Sequence, residues 1–137
     1  MQAVAHRVSL ALAIAVALAG CAATLTQAEA TALRNQLRDA MQAPVKTLAE
    51  RDQHSRLLAD VVGKDALHGL TQLDVRAAFG PGDACRKPLC GQHGFTDSDW
   101  YYEIGRAEDP KIKQLPVLIV GFDPQLRAAR IWTLTTH

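Results

Sequence analysis

The chain has 137 residues, 48% hydrophobic and 21% charged, with a formal net charge of +1. That length builds one domain with a modest core. The near-neutral balance, with no basic stripe, excludes a nucleic-acid footprint.

Residues 1–20 read as a signal peptide. His6 and Arg7 form a short, weakly positive start, and residues 8–19 are apolar. At about 12 residues the run is too short to span a bilayer, and it closes on Leu18-Ala19-Gly20, the small residues a peptidase needs. A buried helix or a short anchor is the competing reading. Leu18-Ala19-Gly20-Cys21 resembles the lipobox of bacterial lipoproteins. That resemblance implies that Cys21 becomes the first residue of the mature chain and carries the lipid, a covalent group and not a cofactor. Stable anchoring takes more than one acyl chain, and lipoproteins carry three. Ala22, where an Asp would retain enterobacterial lipoproteins at the inner membrane, points to the periplasmic face of the outer membrane; the inner membrane stays open. Removal of Arg7 leaves equal numbers of acidic and basic residues.

Cys85 and Cys90 are the other two cysteines. A signal peptide implies an oxidising compartment, and a disulfide between them would close a loop around Arg86-Lys87-Pro88-Leu89, worth about 2 kcal/mol in chain entropy. The rivals are a metal site with His93, which supplies three ligands where zinc normally takes four, and a pair of free thiols.

Residues 24–41 read as a first helix, capped by Thr26 with Glu29 three positions on. Its apolar stripe, Leu25, Leu33 and Leu37, is thin, so residues 21–43 are expected to form a lightly packed tether or spacer. The domain proper is then 44–137. Pro44 suits the first turn of a second helix over 45–62, with Val45, Leu48, Leu57, Leu58, Val61 and Val62 apolar and a polar middle that includes His54. Gly63 ends it.

The stretch 69–85 is the most sharply specified. Thr71 and Asp74 make a capping box, and Leu70 and Val75 can staple across it. Leu73, Val75, Ala78 and Phe79 are the expected buried side, and Gly80-Pro81 stops the helix. After the cysteines the period changes to two. In residues 99–105, Trp100, Tyr102 and Ile104 face one way, with Tyr101 and Glu103 the other. Residues 115–122 are apolar on both faces and read as the central strand, with Pro116 at its start. Asp123-Pro124 opens a turn, and 127–136 is the last strand. The expected fold class is α+β: N-terminal helices, then a short capped helix packed on a three-stranded antiparallel meander.

Gly69-Leu70-Thr71, Val75, Phe79-Gly80-Pro81, Trp100-Tyr101-Tyr102 and Phe122-Asp123 together resemble the BamE/SmpA-OmlA family of outer-membrane lipoproteins, and the related beta-lactamase-inhibitor-protein fold is similar. The resemblance runs over about residues 67–135. It implies a helical hairpin on a three- or four-stranded antiparallel sheet and a lipid-anchored, non-enzymatic role among envelope proteins, including outer-membrane assembly components. The similarity to the beta-lactamase-inhibitor-protein fold implies a disulfide near the place of Cys85 and Cys90. The short stretch that follows the lipid cysteine in BamE itself has no counterpart between Cys21 and Asp65.

No nucleophile elbow, phosphate loop or His-Glu-x-x-His occurs. Asp97 and Asp99 flank Ser98 at a strand entry and could act as a metal or acid–base pair, and Glu103 could be a buried acid. Turn residues and a solvent-facing position are the simpler readings. Trp100, Tyr101, Tyr102, Phe122 and Trp132 are either core or contact residues, and Phe95 with Tyr101 is the expected partner-binding pair. An inhibitor or ligand sensor using the same sheet face is the alternative function.

Overall fold

The computed structural model describes residues 24–137, so Cys21 and the expected signal peptide lie outside the described residues. The first element is helix α1, Gln27–Gln42, started by a complete capping box in which the Thr26 hydroxyl accepts the Glu29 N–H and the Glu29 carboxylate accepts the Thr26 N–H. Its stripe is thin but not idle. Leu37 is fully buried and Ala40 nearly so, both in the main core. Of the two arrangements open to a lightly packed helix, packing on the domain is the one found.

Pro44 does not begin the second helix. Pro44–Val45 is a short strand, β1, and α2 runs Leu48–Gly63 from its own capping box, Thr47 with Glu50. A proline lacks the N–H, but its carbonyl and its neighbours' still serve a ladder; here the Ala43 and Val45 carbonyls accept the Arg106 and Glu108 N–H groups. Leu48, on the first turn of α2, is 53% exposed and does not enter the core as expected.

Helix α3, Gln72–Phe79, has the expected Thr71–Asp74 box and stops at Gly80, whose φ of +80° is a conformation that favours glycine. Two turns present few positions to the core. Val75 and Phe79, four apart, are buried, whereas Leu73 is 77% exposed, a correction to the expected buried side. The Tyr102 hydroxyl donates to the Gly80 carbonyl at 2.8 Å and ties this stop to the sheet.

The remaining elements are β2 (Asp83–Ala84), α4 (Pro88–Gln92), β3 (Trp100–Glu103), β4 (Arg106–Ala107), β5 (Val117–Phe122) and β6 (Ala128–Leu134). The class is α+β, but the sheet is not a three-stranded meander. It has four strands in the order β2-β3-β5-β6, all antiparallel, and β1 pairs with β4 in a separate two-stranded parallel sheet. Residues 115–122 are apolar throughout because β5 is central and covered on both faces. Leu118 and Val120 point into the main core with Leu58, Val61, Val75, Phe79 and Tyr102, while Val117 and Ile119 point into a second core with Phe95 and Tyr101. The helices α1–α3 supply the first cover. The segment between β2 and β3 supplies the second.

Candidate binding face

The second face of the sheet gathers four of the residues singled out by sequence. Cys85 and Cys90 are joined by a disulfide with Cα atoms 5.7 Å apart, and both are buried with Phe95 and Tyr101 over Val117 and Ile119. The cross-link closes residues 85–90, the first part of a flap, residues 85–99, that lies over the sheet. Pro88 sits in the first turn of α4, where its missing N–H is harmless. Tyr101 is on this face because β3 alternates: Trp100 and Tyr102 go to the helical side, and Tyr101 and Glu103 to the flap side.

Phe95 and Tyr101 are 7% and 5% exposed. They hold the flap to the sheet, and their rings are not an open contact surface. What reaches solvent are the groups lying over them. The Arg130 guanidinium is 4.5 Å from the Phe95 ring centroid and donates to the Gly94 carbonyl at 3.0 Å. The Lys87 ammonium is 5.0 Å from the Tyr101 centroid and 3.6 Å from Glu103. His93 stacks on Trp132 with centroids 4.2 Å apart. The rim of this face is thus cations held over aromatic rings, a favourable arrangement at a half-solvated site. Burial first, then the Glu103 and Asp83 carboxylates, push the Tyr101 phenol above its ordinary pKa, so it stays neutral.

Between α4 and residues 107–115 lies a groove of about 430 Å³, lined among others by Lys87, Leu89, Tyr101, Glu103, Ile112 and Leu134. That is within the size of a small-ligand or side-chain pocket. A larger groove, about 1110 Å³, follows the start of α1 and the α2–α3 connection, bordered by Thr24, Leu25, Leu33, Arg34 and Leu70.

The polar residues weighed as chemistry do not converge. Asp99 is buried, and its two oxygens accept the N–H groups of Thr96 (2.9 Å) and Phe122 (3.1 Å), so the carboxylate is spent on backbone. Asp97 is exposed and 4.0 Å from Arg86, and Glu103 pairs with Lys87. His54 lies 3.3 Å from the Ile104 carbonyl, whereas His93 stacks on Trp132. Among the described residues no three His, Cys, Asp or Glu side chains are grouped to hold a metal ion, and no helix is long and apolar enough to cross a membrane. Lys87 and Arg130 were the rim residues that sequence reasoning passed over. The signal available was their place next to, or alternating with, the flap-side aromatics.

No family model matches the chain, no curated protein matches it, and no solved structure matches it.

Proposed function

We propose that this protein is a non-enzymatic, lipid-anchored periplasmic protein of the bacterial envelope that binds other envelope proteins, in the manner of BamE-like lipoproteins in outer-membrane assembly or maintenance. The observation that carries the reading is Leu18-Ala19-Gly20-Cys21, whose cysteine stands five positions before Thr26, the cap of the first described helix. On this reading the mature chain starts at Cys21, and a lipid there would hold the domain close to a membrane surface. The Cys85–Cys90 cross-link agrees with an oxidising compartment. A tether of a few residues raises the effective concentration of the domain for membrane-bound partners. The flap-side rim, Lys87, His93, Arg130 and Trp132, together with the groove beside it, is the surface offered to them. An inhibitor working through an open aromatic sheet has less support, since flap and helices cover both faces of the sheet.

The test is metabolic labelling of the full chain with a fatty acid, beside Cys21→Ala. The wild type takes up label and sediments with membranes; the variant does neither. A photo-crosslinker at position 87 then forms a discrete adduct with an envelope protein in the wild type and loses it in Cys21→Ala. An unlabelled wild type removes the anchor. Labelling without any adduct at position 87 removes the binding face and leaves the anchor.

A further inference from the structure

The four-stranded sheet has two unlike edges. At one end β2 is two residues long; at the other β6 is seven, with β5 as its sole neighbour in the sheet among the described residues. Natural edges are commonly protected by shortness, proline or outward charge. The short edge has the first protection. Residues 128–134, Ala-Ala-Arg-Ile-Trp-Thr-Leu, contain no proline and one charge. That charge, Arg130, is drawn onto the flap by Phe95 and the Gly94 carbonyl.

The hydrogen bonds show which backbone groups of β6 are free. The Phe122 N–H donates to Asp99, and the Ile104 N–H donates to the Pro116 carbonyl, so even-numbered positions of β5 turn toward β3. Odd-numbered positions therefore turn toward β6, where Val117, Ile119 and Gly121 stand opposite Leu134, Trp132 and Arg130. By alternation along β6, Ile131 and Thr133 aim their N–H and C=O groups away from β5. Neither residue has a backbone bond to any other segment among the described residues. The edge is closed at both ends. The Ala128 N–H donates to the Leu70 carbonyl and the Gln72 N–H to the Leu126 carbonyl, both at 2.8 Å, and the Thr136 N–H donates to Ser55 Oγ at 2.7 Å. Among the described residues the outward backbone groups of Ile131 and Thr133 remain open between them.

We propose that this open edge is a dimerisation surface for a second copy of the chain, the two β6 strands pairing antiparallel about a two-fold axis at Trp132. In that register Ile131 faces the partner's Thr133, and Thr133 the partner's Ile131. Every outward N–H and C=O is then used in four bonds. Trp132 lies opposite the partner's Trp132 at a non-hydrogen-bonded pair, where side chains approach most closely and aromatic pairs are favourable. Arg130 faces the partner's Leu134, so like charges are not opposed. Other axes fit worse. Centring on Ile131 sets Thr133 against Ala129, which lies in the register irregularity opposite Gly121 and Phe122. Centring on Arg130 opposes two guanidinium groups, and centring on Thr133 runs into the segment held by Ser55. The pairing needs neither the lipid nor the flap-side groove, and it shares Arg130 and Trp132 with the rim offered to envelope partners.

The experiment measures the molar mass of the full chain in detergent across a concentration series, by light scattering corrected for bound detergent, beside Thr133→Pro. That proline deletes an outward N–H which β5 does not use, and edge positions of this kind accept proline. The expected result is a two-chain mass for the wild type and a one-chain mass for Thr133→Pro, with unchanged far-UV circular dichroism. A wild type of one-chain mass throughout, as for an edge reserved for a foreign peptide, overturns the proposal; so does a folded Thr133→Pro that stays dimeric. Should Thr133→Pro not fold, oxidation in a Cys21→Ala background decides. Trp132→Cys gives a disulfide-linked dimer and Thr133→Cys, whose side chain is on the helical face and not opposite itself, does not. Equal cross-linking of the two overturns the register.

Discussion

Asp99 is the strongest single test of how the flap is held. Asp99 is 4% exposed, and its carboxylate bridges three elements: the Thr96 N–H in the flap, the Phe122 N–H at the end of β5, and Arg130 of β6 at 3.8 Å. A hydrogen bond to a charged acceptor is worth about 1.5–3 kcal/mol net. In Asp99→Ala the two amides fare differently. Thr96 is exposed, so its N–H recovers water; Phe122 is half-buried, so its N–H recovers less of it. The sum is a loss of about 2–4 kcal/mol. The ion pair adds little, because the Arg130 side chain is 55% exposed and solvent screens it. Arg130→Ala, which also loses the Phe95 contact, should therefore cost about 1 kcal/mol. Asp99→Asn falls between, since its oxygen serves one amide while its NH2 group confronts the other. Urea unfolding followed by tryptophan fluorescence reads all three, Trp100 being adjacent and Trp132 on the same face. An Asp99→Ala loss below about 0.5 kcal/mol, or an Arg130→Ala loss as large as that of Asp99→Ala, would refute the reasoning that the backbone amides are what this carboxylate serves.

Gly105 has a φ of +114°, and a Cβ there would stand 2.5 Å from Val45 Cγ2 and 3.1 Å from His54 Nδ1. Gly105→Ala should lose about 2–5 kcal/mol from backbone strain and overpacking, read as a lower thermal midpoint, whereas Gly63→Ala, with nothing within 4 Å, should be neutral or slightly stabilising. The Thr71 N–H, then its hydroxyl, hold the Asp74 carboxyl below its ordinary pKa of 3.8. A native pKa below the unfolded one means that this contribution is complete above pH 3.8 and fades as pH falls through the native value. Asp74→Asn should thus flatten the acid limb of stability against pH in an acid titration, and an identical limb in both proteins would remove the cap from that role.

Local signals were legible where a few neighbouring residues decide the structure. The Thr26–Glu29 and Thr71–Asp74 boxes mark their helix starts to the residue, and Gly80 marks a stop. The same box at Thr47–Glu50 was equally present in the sequence, but Pro44 offered a competing helix start three residues earlier. What decides against Pro44 is Arg106, whose N–H and Nε bind the carbonyls of Ala43 and Gln42. A parallel pairing between segments that far apart leaves no periodic trace in either. The alternation of residues 99–105 assigned each aromatic to the right face, yet said nothing of what lies over that face. Tyr101 looked like a contact residue because helices were expected on one side alone.

The cover on the other side has a physical reason that connects the cysteines to the core. Residues 85–99 include a helix of five residues, too short to be stable by its own hydrogen bonds. Such a segment stays on a sheet when closure entropy is removed and its polar groups find fixed partners. The Cys85–Cys90 link limits the first, and Asp99 accepting the Thr96 N–H supplies the second at the other end of the flap. Between those two points Phe95 inserts against Ile119 and over Gly121, where a Cβ would come within 2.9 Å of its ring. Gly121 is therefore the seat of Phe95: a side chain there would push on the Phe95 ring, loosen the flap from the sheet and disturb the Arg130 contact over that ring. The flap and the open edge are coupled through Arg130, which belongs to one and is held by the other.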